Sequence, residues 1–201
     1  MHIGIFGGSF NPIHKGHTAL AQAICDAGLV DCVWLMVTPQ NPLKPSAGLL
    51  DEQLRLHLAR LAVCELPRLE ASDFEFHLPR PSYTYHTLQC LTETFPDDTF
   101  TLIIGGDNWD LFPRWRNADD ILRRWPVVVY PRSDASTPIA DTRYPNVLFM
   151  TSAPLFPVSS TEIRTAIAQG EDTSAWLSPA VAAEINRLGL YKKGEEISGE
   201  R

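Results

Sequence analysis

Short runs that are apolar at all or all but one position alternate along this chain with amphipathic stretches, and that alternation leaves few architectures open. Residues 3–6, 32–37, 100–104, 127–130 and 147–150 are such runs, and 70–76 reads as a further, less uniform strand. A strand with one wet face alternates apolar and polar residues, whereas one covered on both faces is apolar throughout. Between the runs the period changes. In 16–27, Ala19, Leu20, Ala23, Ile24 and Ala27 share one helical face, with Gly28 as a C-terminal stop. Asp51 opens a second helix to about residue 65, carrying Leu54, Leu58, Leu61 and Ala62 at helical spacing. Further helices are expected at 82–94, entered through Pro81, and at 119–124, 161–169 and 179–188. Strands and helices in this order give an α/β fold: a parallel sheet with helices on both faces. Ligands of such sheets bind beyond the carboxyl ends of the strands.

A chain of 201 residues with 44% apolar and 20% charged side chains is long enough to bury one core. No repeat and no linker divides it, so residues 1–191 are expected to form a single domain. Residues 192–201 are expected to be a frayed polar tail. Residues 132–146, rich in Pro, Ser, Thr and Asp, read as a loop. There is no leader pattern and no apolar run of membrane-spanning length, so a cytoplasmic protein without a membrane partner is expected. Cys25, Cys32, Cys64 and Cys90 lie in apolar contexts without a C-x-x-C pair and read as small hydrophobes. The net charge of −7 argues against a nucleic-acid partner.

The chemistry concentrates where the first strand meets the first helix, in Gly7-Gly8-Ser9-Phe10-Asn11-Pro12-Ile13-His14-Lys15-Gly16-His17. Two glycines let the backbone approach a bulky anion, Ser9 adds a hydroxyl, and the helix start directs amides and positive dipole at the same place. His14 and His17, three residues apart, can turn ring donors toward it. The stretch matches neither the Walker loop nor G-x-G-x-x-G. A zinc site would need a third ligand, and none stands nearby, so no protein-held metal is expected.

Gly7 to Pro12 with His14-Lys15-Gly16-His17 resembles the G-[ST]-F-D/N-P…H-x-G-H signature of the nucleotidyl transferase superfamily. Val158-Ser159-Ser160-Thr161-Glu162-Ile163-Arg164 resembles its I-S-S-T-x-I-R signature, with Val158 for Ile. Pro81-Ser82-Tyr83-Thr84-Tyr85-His86-Thr87-Leu88, Ile103-Ile104-Gly105-Gly106-Asp107 and Phe112-Pro113-Arg114-Trp115 are similar to segments of bacterial nicotinate-nucleotide adenylyltransferases. The resemblance spans about residues 3–191. Arg116 departs from it, standing where an aromatic or polar residue is more usual.

That resemblance implies a Rossmann-like nucleotidyltransferase fold and transfer of the adenylyl group of ATP to nicotinic acid mononucleotide, with Mg²⁺ carried by the ATP phosphates. It implies that His14, His17 and Arg164 are catalytic, gripping the phosphates. Gly7, Gly8, Ser9, Phe10, Gly16, Ser159, Ser160 and Ile163 would complete the ATP site. The acceptor would be met by Lys44, Tyr83, Thr84, Gly105, Asp107 and Trp115, the last stacking on the nicotinate ring. Ser159 and Ser160 also read as ordinary helix caps, Trp115 as a core aromatic and Lys44 as a surface lysine. Alternatives are phosphopantetheine or nicotinamide mononucleotide as acceptor, a nucleotide-binding regulator without turnover, or a relative of class I aminoacyl-tRNA synthetases. The oligomeric state, a homo-oligomer included, is left open by the sequence.

Overall fold

The computed structural model describes residues 1–39, 48–131, 144–151, 153–154 and 156–192. Six strands form one sheet: β1 (His2–Gly8), β2 (Cys32–Val37), β3 (Leu69–Ser72), β4 (Thr99–Gly105), β5 (Val127–Tyr130) and β6 (Val147–Phe149). Their order is β3-β2-β1-β4-β5-β6, and every pairing is parallel. The helices are α1 (Lys15–Asp26), α2 (Glu52–Val63), α3 (Thr84–Thr94), α4 (Gly106–Leu111), α5 (Ala118–Arg124), α6 (Ser160–Gln169) and α7 (Pro179–Leu188).

The apolar runs make physical sense in this sheet, because alternate residues feed two separate cores. Phe6, Ile103 and Val128 pack with Leu20 and Ile24 of α1, Leu58 of α2, Ile163 of α6 and Val181 of α7. Ile5, Leu102 and Val127 point the other way, onto Leu88 and Leu91 of α3 and Ile121 of α5. The central strands are therefore dry on both faces, as their sequence requires, while edge strands β3 and β6 expose Glu70 and Leu148. Local signals set the helix ends. Asp51 caps α2, its carboxylate accepting from the Gln53 and Leu54 amides, while Gly170 and Gly189 take left-handed φ of 75° and 66° after α6 and α7.

Two expectations change. The strand expected over 70–76 ends at Ser72, and Phe74–His77 is a 3₁₀ turn that carries the Glu75 carboxyl into the interior. Helix α4 and the 3₁₀ turn Phe112–Arg114 were not foreseen, being too short to show a period. Among the described residues no helix is long and apolar enough to cross a membrane.

From β1 the strands are added outward in one direction, and from β4 in the other. The topology thus reverses between β1 and β4, which lie side by side. A crevice opens beyond the carboxyl ends of strands at such a reversal.

Candidate active site

Gly7 and Gly8 end β1 and Gly105 ends β4, and all three line a cleft of about 970 Å³ at this reversal. The turn from β1 into α1 builds one wall. Phe10 adopts a left-handed φ of 45°, a conformation costing a non-glycine residue about 1–2 kcal/mol. Its ring is buried, with edge contacts to Phe6 at 5.9 Å and to His17 at 5.0 Å between centroids. The strained turn is thereby held by packing.

The two histidines form a reciprocal cap. His14 is the N-cap of α1, and its Nδ1 accepts from the Gly16 amide at 3.2 Å. Nδ1 of His17 in turn accepts from the His14 amide at 3.2 Å. A serine and a glutamate usually fill these positions. Because both Nδ1 atoms accept backbone hydrogens, each neutral ring carries its own hydrogen on Nε2. Each imidazole is then a donor with a set tautomer, which suits phosphate oxygen. Gly16 must be small, since a Cβ there would lie 2.8 Å from Phe156 Cβ and 2.9 Å from His14 Nδ1.

The opposite wall comes from the start of α6. Ser159 caps it, its Oγ accepting from the Glu162 amide, while the Glu162 carboxylate accepts from Ser159 amide and hydroxyl. The Ser159 hydroxyl, then its amide, hold the Glu162 pKa below the ordinary value. Ser160 Oγ donates to the Pro12 carbonyl at 2.9 Å, and Arg164 donates to the Asn11 carbonyl at 2.7 Å. The two sequence signatures therefore meet at Asn11-Pro12. His14, His17, Ser9, Phe10, Gly16, Ser159, Ser160 and Arg164 all line the one cleft.

Ile163 does not belong to this lining, contrary to its expected place in the ATP site. Its side chain is fully buried in the core and its amide bonds to the Ser159 carbonyl, so it anchors α6 from behind. The helical period explains this, because neighbouring residues point about 100° apart, so Arg164 can line the cleft while Ile163 enters the core.

Tyr83, Thr84 and Trp115 also line the cleft. Tyr83 is the N-cap of α3, and its side chain makes no capping hydrogen bond among the described residues. Trp115 is half-buried and packs its ring on Phe112 at 5.1 Å. Its Nε1 is buried without a hydrogen-bond partner among the described residues. Asp107 is exposed in the first turn of α4 and does not contribute to the lining. Lys44 lies outside the described residues.

Three supporting residues, Arg55, Tyr191 and Glu75, escaped the sequence reading. Arg55 of α2 is 1% exposed, and its guanidinium donates to the carbonyls of Leu50, Ser9, Thr38 and Pro39 at 2.7–2.9 Å. It ties the glycine turn to the loop after β2, and burial pushes its pKa down. Asn11 receives the Tyr191 hydroxyl at 2.8 Å on Oδ1 and donates to the Gly48 carbonyl through Nδ2. Burial raises the Tyr191 pKa, which keeps that hydroxyl a donor. Glu75 lines the cleft floor beneath α3, accepting from Thr87 Oγ1 at 2.8 Å and Ser82 Oγ at 3.2 Å. Burial raises its pKa, while the bonds from Thr87, Ser82 and Thr38 oppose that shift. Arg114 and Arg116 also line the cleft. Among the described residues no group of three or more His, Cys, Asp or Glu is placed to hold a metal ion.

Comparison with known proteins agrees with this architecture. The cytidylyltransferase-like family model matches residues 5–166. A Bacteroides fragilis protein named probable nicotinate-nucleotide adenylyltransferase is 48% identical over 182 residues, 90% of each chain. A Bacteroides thetaiotaomicron protein of the same name is 47% identical, over 89% of this chain and 87% of its own. A Vibrio parahaemolyticus structure, named as this enzyme in the same provisional way, matches with 27% identity and TM-score 0.71, covering 96% of both chains. The Plasmodium falciparum nicotinic acid mononucleotide adenylyltransferase complexed with NaAD shares the fold, with TM-score 0.77, 19% identity and coverage of 94% and 97%. Matches of this identity and extent, on a chain whose two signatures converge on one cleft, establish that it belongs to the cytidylyltransferase-like family and, within it, to the nicotinate-nucleotide adenylyltransferases.

Proposed function

We propose that this chain transfers the adenylyl group of ATP to nicotinic acid mononucleotide, giving deamido-NAD and pyrophosphate, in NAD biosynthesis. The observation that carries the reading is the one cleft lined by His14, His17 and Arg164 and also by Tyr83, Thr84 and Trp115. Relatives at 47–48% identity bear that enzyme's name.

An acceptor 5′-phosphate dianion is already a nucleophile near neutral pH. One of its oxygens bonds to the α-phosphorus of ATP, the bond from that phosphorus to the bridging oxygen of the β-phosphate breaks, and pyrophosphate leaves with the electron pair. No proton must be removed from the nucleophile, so the protein's task is alignment and neutralisation of developing charge. The Nε2 hydrogens of His14 and His17 donate to the ATP phosphates, with His17 nearest the reacting centre. Arg164 and the first amides of α6 receive the departing pyrophosphate. Gly7, Gly8, Ser9, Phe10, Gly16, Ser159 and Ser160 shape the ATP site. The carboxylate of the acceptor ring meets Thr84 and the uncapped amides of α3, and the ring stacks on Trp115. Gly105 permits close approach and Lys44 serves the acceptor phosphate, while Asp107, outside the lining, takes no part. Mg²⁺ arrives with the ATP phosphates as part of the substrate. The working unit is the single domain 1–191, acting in the cytoplasm.

Initial rates with ATP and each of three acceptors test this reading. Nicotinic acid mononucleotide is expected to give the highest kcat/KM. A preference for phosphopantetheine, or no release of pyrophosphate with any of the three, would overturn it. A regulator without turnover would be expected to have lost one of His14, His17 or Arg164, and all three are present.

A further inference from the structure

Arg116 has no counterpart in the roles assigned so far, yet its position is specific. It follows Trp115 directly and is exposed in the cleft, which both residues line. Its guanidinium carbon lies 4.9 Å from the centroid of the Tyr83 ring. Tyr83 also lines the cleft and is the N-cap of α3. Stacking on an aromatic face favours one placement of a flexible side chain while leaving the in-plane N–H donors available. Among the described residues no carboxylate forms an ion pair with Arg116. The nearby Arg124 differs, since it donates to the Tyr85 hydroxyl at 2.9 Å and lies over Trp125.

Two sources of positive potential thus flank one spot: the uncapped start of α3 and the Arg116 guanidinium. Both are one residue from groups that hold an acceptor ring, Thr84 on one side and Trp115 on the other. We infer that Arg116 is a specificity-determining residue that selects an acceptor whose ring bears a carboxylate over the isosteric carboxamide. The inference rests on the proposed function and names the group that sets its acceptor preference. A carboxylate offers two acceptor oxygens and a full negative charge to the guanidinium fork. A carboxamide offers one oxygen and an NH₂, so its donors oppose those of both Arg116 and the helix amides. The residue therefore rewards the acid and penalises the amide, and discrimination needs both.

Calorimetric Kd values for nicotinic acid mononucleotide and nicotinamide mononucleotide, on wild type, Arg116→Gln and Arg116→Lys, test this. Arg116→Gln is expected to weaken the acid about 10-fold, the usual order for a charge-assisted pair, and to leave the amide bound as well as before or more tightly. Arg116→Lys should fall between, keeping the charge and losing the fork. Equal weakening of both ligands by Arg116→Gln would overturn the inference, because a phosphate contact or a structural role acts on both alike. A ratio of acid to amide affinity left unchanged by Arg116→Gln, with the acid bound as tightly as before, would overturn it too, leaving the proposed function standing. Wild type that binds neither ligand would instead overturn the proposed function, and this inference with it.

Discussion

A guanidinium nitrogen of Arg164 lies 2.7 Å from the carbonyl oxygen of Asn11, 153 residues earlier in the chain. Ser160 makes the parallel bond to the next carbonyl, that of Pro12. The start of α6 is therefore fastened to the turn that leads into α1, and the cleft has a wall from each end of the chain. Residues 9–17 hold the imidazoles and 159–164 the guanidinium, and neither segment alone encloses a polyanion.

Replacing His17 separates its two tasks. Asn offers an oxygen near the place of Nδ1, able to accept from the His14 amide, and nothing at Nε2. His17→Asn and His17→Ala are both expected to lower kcat by about 10²–10³, as for loss of one transition-state donor. His17→Ala should also lose about 1 kcal/mol of stability that His17→Asn retains, since only Ala abandons the cap. Turnover measured beside urea unfolding checks both, and unchanged kcat in either variant removes His17 from the chemistry.

Arg55 is expected to stabilise the fold and shape the ATP site without touching substrate. Arg55→Met leaves buried carbonyls of Leu50, Ser9, Thr38 and Pro39 without their donor, at a cost of about 1–3 kcal/mol. Because the Ser9 carbonyl is among them, KM for ATP should rise as well. A denaturation midpoint equal to that of the wild type would contradict the role.

Glu75 supplies a pH dependence with a defined sign. Burial, the largest influence, raises its carboxyl above the ordinary 4.5, so the folded state holds the proton more tightly than the unfolded chain does. Its contribution to stability is complete below about pH 4.5 and is lost as pH rises through the raised folded value. Thermal midpoints of wild type and Glu75→Gln, followed between about pH 4 and 8, should show the wild type losing ground to the variant as pH rises. A difference that stays constant across the range would show that Glu75 does not titrate in this way.

Trp115→Ala is expected to raise KM for nicotinic acid mononucleotide about 5–10-fold, the loss of one aromatic stack, and to leave KM for ATP unchanged. An equal rise in both constants would mean that the ring, packed on Phe112, supports the fold instead.

Much of the architecture is legible where local signals mark the ends of elements. Helix α7 begins at Pro179 and stops before Gly189, and β2 and β5 coincide with their apolar runs. The turn from β1 into α1 is equally plain, because its glycines and histidines are contiguous in the chain. Arg55 was not legible. It sits among polar positions of an amphipathic helix, and its burial follows from carbonyls that three separate loop segments bring to it. Glu75 was hidden for a related reason, since its strand was expected to continue where the chain turns inward. The position of Ile163 shows the opposite limit: membership of a motif did not reveal which side of the helix each motif residue serves. Partners fixed by tertiary folding leave no periodic trace.

A crystal structure with a non-hydrolysable ATP analogue tests the central claim most directly. The account predicts one triphosphate with oxygens in hydrogen-bond contact with Nε2 of His17 and, on the other side, with the Arg164 guanidinium. A triphosphate bound by one of these residues while the other points away from it would contradict the account.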